Sequence, residues 1–268
     1  MDINGQTIRH RAFGSGVITK LAAGTVTVSF AGEEKKFIYP DAFKDFLVMD
    51  DKSLQKYVAD QIAKRDAALV EQRRAEQEEY QRRQKLENFT IAANSHAVFD
   101  IDAQEAATVC KKFTVSTGHY ISGYSKGKPR IADRMKPNSA CVLTVRPQGG
   151  LEQERAIVGA FMVKDDFFGE DAGDGIIEAH PEFRMLVPQG QQLLFWDYFG
   201  HDSQPRWGNT AVKYCSGSVM SRLLAEMTNM LSGGKEWEGA MKFYRYFCKM
   251  NRLNPLIEDA EDSGAEVL

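Results

Sequence analysis

Cysteine is scarce in this chain of 268 residues, and what there is lies apart. Cys110, Cys141, Cys215 and Cys248 form no C-x-x-C pair. That argues against a disulfide framework or a zinc knuckle and fits a reducing, cytoplasmic setting. No apolar run approaches the ~18 residues needed to cross a bilayer, so no membrane segment is expected. The opening residues, MDINGQTIRHRAFG, lack the apolar stretch of a secretory signal. There is no GxSxG, HExxH, Walker loop or GxGxxG, so no catalytic residue, cofactor or metal is assigned from a motif. Eight prolines are too few for a collagen-like or mucin-like chain. What remains is ordinary for a folded protein: 43% hydrophobic and 26% charged residues. The length suits one large domain or two smaller ones.

A net charge of -3 excludes a basic nucleic-acid coat protein. The charge is unevenly spread. From Lys111 to Lys136 there are seven Lys or Arg and a single acid, Asp133. After Asp165 come Asp166, Glu170, Asp171, Asp174, Glu178 and Glu182. A basic stretch on a mildly acidic protein reads either as a solvated loop or as a local footprint for an anionic partner.

Residues 1–50 read as a small β module. Gly14-Ser15-Gly16 marks a turn, and Thr25 to Phe30 alternates strictly, with Val26, Val28 and Phe30 on one side. Ala31 to Glu34 turns the chain into a returning strand, Lys35 to Tyr39, and Pro40-Asp41 opens a short helical turn carrying Phe43, Phe46 and Leu47. Residues 51–88 contain no Gly or Pro, and Leu54, Val58 and Ile62 make a stripe at helical spacing. Beyond Val70 the stripe fades and i,i+4 Glu–Arg pairs take over. The spacing predicts one long charged helix, a linker of ~57 Å at 1.5 Å per residue, whose first half can dock on the β module or a partner helix and whose second half is a solvated spacer. Residues 89–257 form the larger domain. A helix is expected over Asp102 to Phe113, then a loop rich in Gly, Ser, Lys and Pro from Thr117 to Asn138. Buried strands follow at Ala140–Val145 and Ala156–Val163, with further apolar segments at Phe183–Val187, Leu193–Tyr198 and Val212–Tyr214. Helices are expected at Val219–Met230 and Lys235–Met250. Residues 258–268 carry five acids and read as a disordered acidic tail. The fold class is α+β, with a mixed, curved sheet and flanking helices in the larger domain.

The stretch IRHRAFGSGVI…VTVSF…KKFIYPDAFKDFL resembles the Tudor/SH3-like module at the end of UvrD/PcrA-type helicases and in CarD-type transcription factors. The likeness covers about 45 residues. It implies a small SH3-like barrel that docks on a protein partner, RNA polymerase or a helicase, or on nucleic acid.

Two constellations carry chemistry. Glu178-Ala-His180-Pro-Glu182 puts two carboxylates beside a histidine, and Lys164-Asp165-Asp166 lies upstream. On a strand, i,i+2 spacing aligns Glu178, His180 and Glu182, so a metal-dependent nuclease is one reading. The other constellation is a pocket. Phe195, Trp196, Tyr198, Phe199 and Trp207 fall within thirteen residues, and aromatic faces near a basic loop are what base stacking requires. Lys126, Lys128, Arg130 and Arg134 are the candidates for holding phosphates. Packing of the same rings into the core is the competing reading.

Residues ~115–225 resemble the PUA superfamily, which includes EVE, YTH and ASCH modules. The likeness rests on the basic loop, the strand Ala140–Val145, the short turn, and the strand Ile157–Val163 with Gly159 inside it. The longer pattern TGHYISGYSKGKPRIADRMKPNSACVLT…FFG…DGIIEAHPEFRM…FWDYF…WG…KY resembles a set of bacterial proteins, some labelled malate synthase. A TIM barrel does not fit in this chain beside the N-terminal module, so that label finds no support. The PUA likeness implies a modified or flipped base in an aromatic pocket, with Trp196, Tyr198 and Trp207 as the cage. Asn138 and Ser139, just before a strand, would be the polar readers.

Three functions follow. The first is a nucleic-acid-binding protein with a base pocket in the larger domain and a docking barrel at the N-terminus. The second is a protein adapter of RNA polymerase or a helicase. The third is a metal-dependent nuclease using Asp165, Asp166, Glu178 and His180.

Overall fold

The computed structural model describes residues 2–188, 190–199 and 205–257. The acidic tail expected at 258–268 lies outside them. The chain is mixed α+β, with a sheet curled into a half-barrel and a 36-residue helix. It divides into two compact units that meet between Asn88 and Phe89. Among the described residues no helix is long and apolar enough to cross a membrane.

The first unit holds β1 (Thr7–His10), β2 (Gly14–Ala22), β3 (Thr25–Phe30), β4 (Glu33–Ile38), α1 (Ala42–Asp45), β5 (Leu47–Met49) and α2 (Lys52–Glu87). Its antiparallel sheet runs β4-β3-β2-β1-β5. Tight two-residue turns join β2 to β3 and β3 to β4. Ala23-Gly24 and Ala31-Gly32 both have positive φ at each residue, the geometry that matches the twist of paired strands. The expected turn at Gly14–Gly16 is instead the start of β2, and the chain reverses over Arg11–Phe13. Gly16 faces Phe30 so closely that a Cβ there would lie 2.7 Å from its ring. Ile8, Ile18, Val26, Val28, Phe43, Leu47 and Met49 form the core, and Leu54 and Val58 of α2 close it. Asp51 caps α2, accepting from the Ser53 and Leu54 amides. Further along, Arg65 forks onto Asp41, and Lys44 pairs with Asp66 at 2.5 Å. From Ala67 to Arg83 every α2 residue is exposed.

The second unit comprises β6 (His96–Ile101), α3 (Ala106–Lys112), β7 (Thr114–Ser116), β8 (Ala140–Val145), β9 (Ala156–Val163), β10 (Ile176–Leu186), β11 (Leu193–Leu194), α4 (Trp196–Phe199), β12 (Val212–Cys215), α5 (Gly217–Met230) and α6 (Trp237–Asn251). The sheet order is β12-β6-β8-β9-β10-β7, with β11 also on β9. Only β6 and β8 run parallel among these pairs. Both faces of the central strands are covered. Val98, Ala140, Val142, Ala160 and Met162 pack under α5 and α6. Ala97, Phe99, Cys141, Leu143, Phe161 and Val163 face the other way, toward Phe113, Val115 and Met135. Burial on two faces is why β8 and β9 read as unbroken apolar runs. The helix expected from Asp102 starts only at Ala106, and Phe113 ends it in the left-handed region. The segment expected at Leu193–Tyr198 is a two-residue strand followed by one helical turn.

Candidate nucleic-acid interface

The basic stretch between β7 and β8 is an ordered projection. Gly118 and Arg130 are joined by backbone hydrogen bonding, as are Tyr120 and Lys128, and His119 bridges Pro129. The base is fixed by buried Thr117, whose hydroxyl donates to the Arg130 carbonyl at 2.5 Å and whose amide bonds Gly175. On the exit side the Gly169 amide donates to Met135, and Gly169 lies so close to Ala132 that only glycine fits. Lys126, Lys128 and Arg134 are exposed, and Arg130 is half-buried. None of the four pairs with a carboxylate among the described residues. Three sit over rings instead: Lys128 over Tyr124 at 5.5 Å, Arg130 over Tyr120 at 5.5 Å and Arg134 over Tyr214 at 5.2 Å. Burial, reinforced by the Asp133 charge, pushes the Tyr214 hydroxyl up to about 12.

Beside this hairpin lies a polar cavity of about 680 Å³ at the carboxyl ends of the parallel strands β6 and β8. Its floor is Arg155, 2% exposed, which lies 4.4 Å from the centre of the Trp207 ring. The guanidinium bonds Asp100 at 2.5 Å, Glu152 at 2.5 and 3.1 Å, and Thr144 at 3.3 Å. Burial opposes its charge, and the bonds to Glu152 and Asp100 more than offset that, raising its pKa. Arg146, Gln148, Arg206 and Asn209 complete the rim. Arg130 of the hairpin reaches the Asn209 carbonyl at 3.4 Å, which joins the two features into one surface.

The expected cage residues are not gathered around one cavity. Trp207 walls the cavity just described, but its ring is covered by Arg155, Lys213 and Phe195, and its indole N–H donates to Thr210. Tyr198 lines a different cavity of about 450 Å³ with Arg222 and Glu226, and its hydroxyl donates to Glu226. Trp196 lines neither; it stands edge-on to Phe195, and its indole N–H is buried without a partner among the described residues. The aromatic run spends its faces mostly on itself, with buried Phe195 at the hub. Asn138 and Ser139 are fully buried. The Asn138 amide donates to Asn251 and Ser95, and the Ser139 hydroxyl accepts the Lys136 amide. They anchor the exit of the basic stretch and line neither of these two cavities.

The acidic constellation does not converge. Lys164 pairs with Glu178, and Lys242 with Glu182 at 2.8 Å. His180 lies 3.6 Å from Asp165, to which Tyr246 also donates. Among the described residues no group of three or more His, Cys, Asp or Glu is placed to hold a metal ion.

Sequence reasoning missed Tyr120, Tyr124, Asp100, Arg146, Glu152 and Arg155. The tyrosines had a signal: they interrupt the basic stretch in GHYISGYSKGK. The arginine had none, because its partners come from three separate segments. No protein-family model, no curated protein and no solved structure matches the chain.

Proposed function

We propose that this is a nucleic-acid-binding protein. Lys126, Lys128 and Arg130 of the hairpin and Arg134 just beyond it hold phosphates, and the adjoining Trp207-walled cavity receives a base. The observation that carries this reading is the basic stretch itself: four cations without carboxylate partners among the described residues, three of them on a hairpin fixed at its base and tied through Arg130 to the rim of a polar cavity. Carboxylate-free cations keep their full charge for an anionic strand. In this reading the second unit is a PUA-like domain, a likeness supported by its mixed, curled sheet. The base is held by the polar rim, since the Trp207 faces are taken.

The test is fluorescence anisotropy of the full chain with labelled single- and double-stranded DNA and RNA over a range of salt. With four phosphates neutralised on a single strand, log K falls against log salt with a slope of about -3. Replacing Lys126, Lys128 and Arg134 by Glu weakens binding to every sequence alike. No binding at low salt overturns the reading.

A second activity is favoured by one feature of the first unit, which we read as an SH3-like barrel. His10 stacks on Phe13 at 4.5 Å and on Phe46 at 6.3 Å, with Phe37 at 5.4 Å, and Phe13 and Phe46 are about half exposed. An exposed aromatic cluster of this kind suits docking on a protein such as RNA polymerase or a helicase. Binding to purified polymerase that is lost in Phe46→Asp supports it; binding unchanged by that variant overturns it.

A further inference from the structure

The hairpin tip presents more than charge. Tyr124 is fully exposed, Ile121 is 64% exposed and Tyr120 is 38% exposed. These are apolar groups on a stretch whose other exposed residues are His119, Ser122, Gly123, Lys126, Gly127 and Lys128, and among the described residues no element covers them. A tyrosine held entirely in water has no packing reason to be there. The Lys128 ammonium sits over its ring. Tyr120 is backed in the same way by the Arg130 guanidinium. Each ring therefore has a cation on one side, and at Tyr124 the opposite face is open.

A backbone phosphate and its base demand that arrangement together. The cation meets the phosphate, and the open ring face takes the base. Stacking on a side chain needs a base whose face is free, which a paired and stacked duplex does not offer along its length. Phosphate contacts alone do not distinguish single strands from duplex in this way. We propose that the 118–130 hairpin selects unpaired, single-stranded nucleic acid by stacking bases on Tyr124 and Tyr120. This deepens the reading given above and rests on it. It assigns the stacking to the tyrosines of the hairpin and leaves the tryptophans to the fold.

The experiment compares four ligands of equal length with the full chain at one fixed salt: an oligothymidylate, the same strand with abasic positions, a mixed-sequence single strand, and a blunt duplex. The abasic strand keeps the phosphates and removes the ring faces. Each stack lost weakens binding by at least about fivefold, so the intact strands are expected to bind that much tighter than the abasic strand and the duplex. Tyr124→Ala removes most of that preference, and Tyr120→Ala part of it. Tyr124→Phe keeps it, because the ring and not the hydroxyl carries the contact. All of these positions are at the surface, so folding is not at issue. Equal affinity for intact strand, abasic strand and duplex overturns the single-strand inference and leaves a phosphate-binding surface standing. A preference that survives Tyr120→Ala/Tyr124→Ala also overturns it. Failure to bind any of the four overturns the nucleic-acid reading itself.

Discussion

Three histidines show how one side chain serves a fold in two ways. His10 and His180 each open an H-x-x-F segment, HRAF and HPEF. In both, Nδ1 accepts backbone amides two and three residues on, and the ring stacks on the phenylalanine at the third position. The first closes the β1–β2 reversal. The second sits where the pairing of β10 with β9 shifts register between Ala179 and Arg184. His96 is different. It is fully buried, its Nδ1 accepts the Ala140 amide, and its Nε2 has no partner among the described residues. Burial alone lowers its pKa to about 4 from 6.5. A histidine held neutral in the fold contributes stability that is complete above pH 6.5 and is lost as pH falls toward 4, because the unfolded chain takes up the proton first. The loss over that window is roughly 3 kcal/mol. Urea unfolding at pH 7, 5.5 and 4 measures it. His96→Gln, which keeps an acceptor for Ala140, flattens that part of the profile; an unchanged profile shows that carboxylates carry the acid sensitivity.

At the scale of elements, periodicity was legible and long-range pairing was not. β3, β8 and β9 fall where alternating or unbroken apolar runs place them, since local pattern alone decides which residues can be buried on a strand. β6 was missed, because HAVFDI is short and its burial comes from β12 and β8 on either side, while β12 falls on the short segment read at Val212–Tyr214. The hairpin was legible as a basic loop, but not as a rigid one: Thr117 meets Gly175, and Met135 meets Gly169, only in the folded chain. Gly169 is the tightest of these contacts, with a Cβ falling 1.9 Å from the Ala132 carbonyl oxygen. Gly169→Ala must push the 132–135 segment away and costs about 2–4 kcal/mol. It also loosens Arg134, so the affinity for single strands falls along with the unfolding midpoint. A variant as stable as the parent shows that this crossing is not fixed. On α2 the expectation is a contrast. Leu54, 8% exposed, closes the core of the first unit, and Leu54→Ala costs about 2–3 kcal/mol. Val70 is 65% exposed on the solvated half, and Val70→Ala changes stability by less than about 0.5 kcal/mol. Equal effects from the two substitutions, read by urea midpoints, contradict this division of the helix.

For the whole molecule, residues 51–88 read as a helix whose apolar first half can dock on the strands before it and whose second half is a solvated spacer, and the helix clusters with those strands. Three apolar residues at helical spacing, Leu54, Val58 and Ile62, are enough to bind its first turns to a small core, and Arg65 with Asp66 extends the grip by ion pairs. The first unit needs this helix, because a sheet of about forty residues buries too little apolar surface alone. The proposed site was legible in its charge and only partly in its geometry. The cations and the aromatic richness were visible, but a sequence does not say which rings turn inward. Trp196, Tyr198 and Trp207 pack with Phe195 and α5, while two tyrosines that carried less apparent weight stand in solvent. Separate cores have a functional consequence. The buried residues of the first unit form one cluster, and those of the second form two others. Val26→Asp places an unpaired charge in the first core and is expected to unfold that unit. Nucleic-acid affinity, held by the hairpin of the second unit, should stay within about twofold of the parent chain. Circular dichroism records the loss of structure and anisotropy the retained binding, in the same sample. Affinity lost together with the first unit would move the interface, wholly or in part, onto that unit's own surface.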